Sequence, residues 1–248
     1  MSGRAILFDL DETLYRERRF ALGGFAAVAE AVERSHGVGR HWAFACLATA
    51  LRQGRRPQAF QDLCERFDLP SSCIPAWVRI YRAHAPRLRL PQSTRAALAT
   101  LRPCWRIGIL TNGLRSVQAR KVRALGLVHL VDVVVFAQDF GGGKPSAAAF
   151  QEALARLGSD PWTSVFAGDD PWCDIDGARR VGMQTVLIRH GCQDISVFAS
   201  GGADAVVPSI ACVPDVAERL LAARWLAAPH GSRTSDRAPA REDASHVR

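Results

Sequence analysis

Lysine is nearly missing from a strongly basic chain. Of its 32 lysine and arginine residues only Lys121 and Lys144 are lysines, although the formal net charge is +8. The arginines are scattered, and neither zinc-finger spacing, an RNP-type aromatic motif nor a long basic run accompanies them. A nucleic-acid partner is therefore not expected; the charge is read as a general pull on small anions. Paired cysteines are also lacking. The seven thiols at Cys46, Cys64, Cys73, Cys104, Cys173, Cys192 and Cys212 include no C-x-x-C, and their number is odd. That excludes a disulfide framework or a structural zinc site and fits free thiols in a reducing cytoplasm. No run of about 18 apolar residues offers a membrane span. Asp9, Asp11 and Glu12 interrupt any apolar segment near the start, so no secretory leader is expected. The expectation is a soluble, cytoplasmic protein.

What is present is ordinary for a globular chain: 248 residues, 48% hydrophobic and 23% charged, enough for a large domain with an insertion. Short, continuously apolar runs at 5–10, 106–111, 131–137, 163–168 and 184–188 read as strands buried on both faces, as in a parallel sheet. Helical patterning separates them: 114–125, a segment from Pro145 to a stop at Gly158, and 213–227. Alternation of this kind predicts an α/β, Rossmann-like doubly wound parallel sheet. Residues 15–90 differ, with helical periodicity around Phe25, Val28, Ala29 and Val32 and no convincing strand. They are expected to form an inserted α-helical unit, leaving 1–14 and 91–228 as the core. The polar stretch 229–248 is expected to be disordered.

The chemistry-bearing residues fall at or just beyond the C-terminal ends of the expected strands, where open α/β sheets form their ligand crevice. They are Asp9 and Asp11, Thr111 and Asn112, Lys144, and Asp169 with Asp174. An aspartate pair after a strand can be a simple turn device, and Thr111 a simple helix cap. Yet carboxylates beside a buried core are costly unless a cation compensates them, and Mg²⁺ suits such oxygen donors. Gly141-Gly142-Gly143-Lys144 superficially suggests a phosphate-binding loop. Gln138 and Pro145 break the P-loop pattern, which excludes an ATPase of that type.

Together, F-D-L-D-E-T-L-Y (8–15), L-T-N-G (110–113), G-G-G-K-P (141–145) and G-D-D-P-W-C-D-I-D-G-A (168–178) resemble the haloacid dehalogenase superfamily, in its order of motifs. The insertion resembles the helical cap of the phosphoglycolate phosphatase-like branch. The resemblance implies a phosphatase acting on a small phosphorylated metabolite, with Asp9 as nucleophile and Asp11 as general acid and base. It also implies Mg²⁺ on the Asp9 side chain, the Asp11 backbone carbonyl and the Asp169 side chain, supported by Asp174. Thr111, Asn112 and Lys144 would bind the transferring phosphoryl group.

Departures from the pattern are Asp170, an alternative that could share or replace a role at the metal behind the favoured Asp169 and Asp174, Ser146 after Lys-Pro, and Trp172. Dehalogenases of the superfamily lack the second aspartate, so Asp11 points to phosphoryl transfer. A phosphomutase shares the pair and stays open, and a non-catalytic binding module is disfavoured by the complete reactive set. Arg16, Arg18 and Arg19 are read as a solvated surface rather than a second anion site. His36, His41 and His84 lack ligand spacing, and Trp42, Phe44, Trp77 and Tyr81 are expected to pack. Substrate identity and oligomeric state are not legible.

Overall fold

The computed structural model describes residues 3–191 and 202–227. The segment 229–248 and Cys192 lie outside the described residues.

Six parallel strands form one sheet: β1 (Ala5–Phe8), β2 (Arg106–Thr111), β3 (Val133–Phe136), β4 (Ser164–Gly168), β5 (Gln184–Ile188) and β6 (Ala205–Val207), in the order β3-β2-β1-β4-β5-β6. Strand β1 is central, with Phe8 in register with Ile109 on one side and Ala167 on the other. Its four residues are fully buried because successive side chains enter opposite layers. Ile6 and Phe8 join the apolar cluster beneath helices α5 (Gln92–Leu101), α6 (Arg115–Ala124) and α9 (Val213–Ala227). Ala5 and Leu7 join the cluster beneath α7 (Ala147–Leu157) and α8 (Gly177–Arg180). Helices on both faces explain the continuous apolar runs and define the doubly wound sheet. Gly108 in β2 allows a close approach, since a Cβ there would lie 2.6 Å from a Leu7 methyl and 3.1 Å from one of Leu157.

Four helices lie between β1 and α5: α1 (Arg18–His36), α2 (Arg40–Arg52), α3 (Ala59–Phe67) and α4 (Ile74–Ala83). They enclose an apolar cluster of their own, built on Phe25, Val28, Val32, Leu47, Leu63 and Trp77. Fully burying each such side chain is worth roughly 1.5–3 kcal/mol, enough to order helices of this length. Tyr81 packs against both this cluster and the one beneath α5 and α6. No helix among the described residues is long and apolar enough to cross a membrane.

Several elements differ from expectation. Strand β1 stops at Phe8; Asp9 still donates its N–H to the Ala167 carbonyl at 3.1 Å, but the chain then turns, and Leu10 is buried without being strand. Helix α7 begins at Ala147 rather than Pro145, because Ser146 takes the capping position in extended conformation. The short strand β6 was not foreseen. Trp77 packs as expected, whereas Trp42 is 60% exposed, with its ring centroid 4.6 Å from that of His41.

Candidate functional site

Asp9, Thr111 and Asp169 stand at the C-terminal ends of the three central strands β1, β2 and β4. Lys144 reaches the same edge from the loop after β3. Three successive glycines shape that loop, with Gly141, Gly142 and Gly143 at φ of 64°, 81° and 104°, a region other residues rarely adopt. Asn112 then clamps the loop from β2. Its amide donates to the Lys144 carbonyl at 3.0 Å, and its side-chain oxygen accepts from the Lys144 N–H at 2.7 Å.

So held, Lys144 is 6% exposed and extends its Nζ to Asp9 Oδ1 at 2.5 Å and Asp174 Oδ1 at 2.7 Å. Asp174 comes from the wide helical turn Pro171–Asp176. It fits because Gly168 has no side chain: a Cβ there would lie 2.3 Å from Asp174 Oδ2. Asp169, half-buried, accepts from the Thr13 hydroxyl at 3.2 Å. Carboxylate oxygens of Asp9, Asp169 and Asp174 all lie within 4.8 Å of one another.

The electrostatics are unbalanced. Burial pushes the Asp9 carboxyl up to about 8; Lys144 opposes this, and the charges of Asp174 and Asp11 reinforce it. Burial, then Asp174, likewise raises Asp169 to about 6. Lys144 loses by burial but gains more from the two carboxylates and is held above the usual lysine range. Three acidic groups thus face one ammonium, leaving a deficit of positive charge among hard oxygen donors. This donor set suits a divalent cation such as Mg²⁺.

Asp11 is placed differently. Its carboxylate is outside the three-oxygen cluster and accepts four hydrogen bonds from three side chains. Lys121 Nζ lies 2.8 Å from both Oδ1 and Oδ2, Tyr15 Oη 2.6 Å from Oδ1, and Gln118 Nε2 2.8 Å from Oδ2. Gln118 also donates to the Thr111 hydroxyl at 2.6 Å, tying β2 to the same group. Burial and then the neighbouring Asp11 carboxylate raise the Tyr15 phenol well above its ordinary range, so it remains a donor.

Asp170 is not part of the acidic cluster: its Oδ1 accepts the N–H groups of Trp172 and Cys173 at 2.8 Å each and caps the turn that carries Asp174. Trp172 is 59% exposed, with the Arg180 guanidinium over its ring. Arg16 pairs with Glu12 at the surface, and with Arg18 it borders a cavity of about 410 Å³ that Glu17 and Arg56 also line. His36, His41 and His84 sit apart from the acidic cluster, His84 donating its Nδ1–H to the Tyr81 carbonyl, 2.7 Å away. Sequence reasoning missed Gln118, Lys121 and Glu17. The scarcity of lysine was the available signal: both lysines are almost wholly buried against these carboxylates.

Residues 4–182 match the haloacid dehalogenase-like hydrolase family, and the chain belongs to that family. It is 30% identical over 198 residues to glyceraldehyde 3-phosphate phosphatase of Methanopyrus kandleri, covering 76% of this chain and 84% of that one. It is also 30% identical over 202 residues to ribulose-1,5-bisphosphate 5-phosphatase of Halopiger xanaduensis, covering 74% and 83%. Among solved structures, a HAD phosphatase from Thermococcus onnurineus superposes with a TM-score of 0.57 at 25% identity, over 86% of this chain and 97% of that one.

Proposed function

We propose that this chain, a haloacid dehalogenase-like phosphatase, hydrolyses a small phosphomonoester with Mg²⁺ and through an aspartyl-phosphate on Asp9. The observation that carries this reading is the buried Asp9–Lys144–Asp174 array beside Asp169 at the sheet edge. A nucleophilic carboxylate, a fixed ammonium and further acidic oxygens are what phosphoryl transfer by positioning and charge stabilisation requires.

In the first step an Asp9 oxygen bonds to phosphorus, the bond from phosphorus to the leaving oxygen breaks, and that oxygen takes a proton from Asp11. In the second, water attacks phosphorus, its proton passes to Asp11, and phosphate leaves Asp9. Lys144, the Thr111 hydroxyl and backbone N–H groups after β2 would hold the phosphoryl oxygens. Asp9, Asp169, Asp174 and the Asp11 carbonyl would hold Mg²⁺, which when bound supplies positive charge to the phosphoryl group. Helices α1–α4 would act as a cap that screens the site from water. The relatives' named substrates, glyceraldehyde 3-phosphate and ribulose 1,5-bisphosphate, support a small phosphorylated metabolite as the substrate class.

Phosphate release from a panel of small phosphomonoesters, measured with Mg²⁺ and with EDTA, tests the proposal. Metal-dependent release from at least one member is expected. Release unaffected by EDTA would refute the metal requirement, and isomerisation of a sugar phosphate without release would indicate a mutase.

A further inference from the structure

Lys121 is the second of the chain's two lysines, and nothing in the proposed chemistry above uses it. It sits on α6 with 2% of its surface exposed. Its ammonium lies 2.8 Å from both oxygens of Asp11 and 2.8 Å from Glu17 Oε1, with the Phe20 ring face 4.4 Å away. Glu17 precedes α1 and is in turn gripped through both oxygens by Arg56, from the segment between α2 and α3, one contact being 3.1 Å. Arg56 also donates to the Tyr81 hydroxyl at 2.9 Å. A continuous polar chain, Asp11–Lys121–Glu17–Arg56–Tyr81, therefore runs from the nucleophile loop into the four-helix layer.

A buried ammonium is expensive to desolvate unless paired. A structural ion pair could stand anywhere in the core; this one joins Glu17 to the carboxylate assigned to proton transfer. Lysine also suits the place better than the arginine used nearly everywhere else in the chain. Its compact charge fits between two carboxylates, while a guanidinium demands a planar fork.

We infer that Lys121 is a positioning residue for Asp11, fixing the carboxylate that exchanges protons with the leaving group and the water, and that Glu17 holds Lys121 in place. This rests on the phosphatase reading. It predicts a selective loss. An alkyl leaving group needs its proton as the bond to phosphorus breaks, whereas p-nitrophenolate leaves without one. A structural role would depress both substrates alike.

The test compares kcat/KM for p-nitrophenyl phosphate and for the best alkyl phosphomonoester of a panel. It uses wild type, Lys121→Met, Glu17→Gln and Asp9→Asn, with melting temperature and near-UV circular dichroism for each. For Lys121→Met the alkyl substrate is expected to lose ~10²-fold, the scale of a misplaced acid–base group, and the aryl substrate about tenfold or less. Glu17→Gln, which keeps the side chain's size, should show the same selectivity at about a tenth of the alkyl effect, and it carries the test if Lys121→Met does not fold. Equal losses on both substrates, or none, in a folded variant overturn the inference. With Asp9→Asn inactive, that result leaves the phosphatase reading intact. If instead wild type releases no phosphate or Asp9→Asn stays active, the phosphatase reading has failed and the positioning role falls with it.

Discussion

Replacing Asp9 by asparagine should make the metal-free protein more stable while removing its catalysis. In wild type, burial holds the Asp9 carboxyl at about 8 against an ordinary 3.8. A carboxyl raised on folding contributes stability that is fully present below the unfolded value and is lost as pH rises through the folded one, here from about 4 to about 8. At about 1.36 kcal/mol per pH unit, the upper bound on the loss is about 5 kcal/mol. Water reaching the cluster past half-buried Asp169 screens part of the charge, so about 2–3 kcal/mol is the working expectation near pH 8. Asparagine removes that charge, and Lys144 keeps its 2.7 Å partner Asp174, so no orphaned cation results. For a chain of this size the gain corresponds to a melting temperature higher by roughly 4–12 °C. The assay is thermal unfolding at pH 8 in EDTA and again with Mg²⁺. Wild type should gain stability from Mg²⁺, and the variant should gain less. An Asp9→Asn protein that melts below wild type in EDTA would refute the reasoning, because it would mean that the ionised carboxylate stabilises the empty pocket.

Removing Lys144 perturbs the same balance in the opposite direction. Lys144→Met leaves Asp9 and Asp174 buried without their cation and should cost about 3–5 kcal/mol in urea unfolding, with a fall in kcat of at least ~10²-fold in phosphate release. In Gly168→Ala a methyl would meet the Asp174 carboxylate at 2.3 Å. The shift of Asp174 should cost about 1–3 kcal/mol in the same unfolding assay and lower kcat by ~10²-fold. Glu17 behaves oppositely to Asp9. Burial raises it, but the Arg56 bonds and the Lys121 charge outweigh burial and hold it at about 2. Its contribution is therefore present above about 4.5 and lost as pH falls toward about 2; Glu17→Gln should flatten the acid limb of a stability–pH curve.

How far these features could be read in advance follows from their chemistry. Strands covered on both faces announce themselves as continuous apolar runs, as in Ile107 to Leu110 and Val165 to Ala167. Strand β6, with three residues at the sheet edge, carries no such run. Leu10 misleads at the end of β1 because it is fully buried by a turn rather than by pairing. Helix α7 starts two residues later than expected because proline's suitability for a first helical turn does not reveal that Ser146 takes the cap. Residue types at strand ends sufficed to bring Asp9, Thr111, Lys144 and Asp169 to one edge, since the topology of such sheets gathers them there. The Asp174 contact needed the turn beyond Gly168 and its missing Cβ. The link from Asp11 to Lys121 spans 110 residues and two layers, beyond any local pattern, although the rarity of lysine marked both of its buried examples. Asp170 stands as an alternative to Asp174 in sequence because it neighbours Asp169, but its Oδ1 accepts the turn's own N–H groups.

The central claim is that the Asp9 carboxylate attacks phosphorus, and the most direct measurement is phosphate release by folded Asp9→Asn protein in Mg²⁺ beside wild type. The account predicts turnover by wild type and none above background by the variant. Sustained turnover by the folded variant would contradict it and return the nucleophile to water or to another side chain.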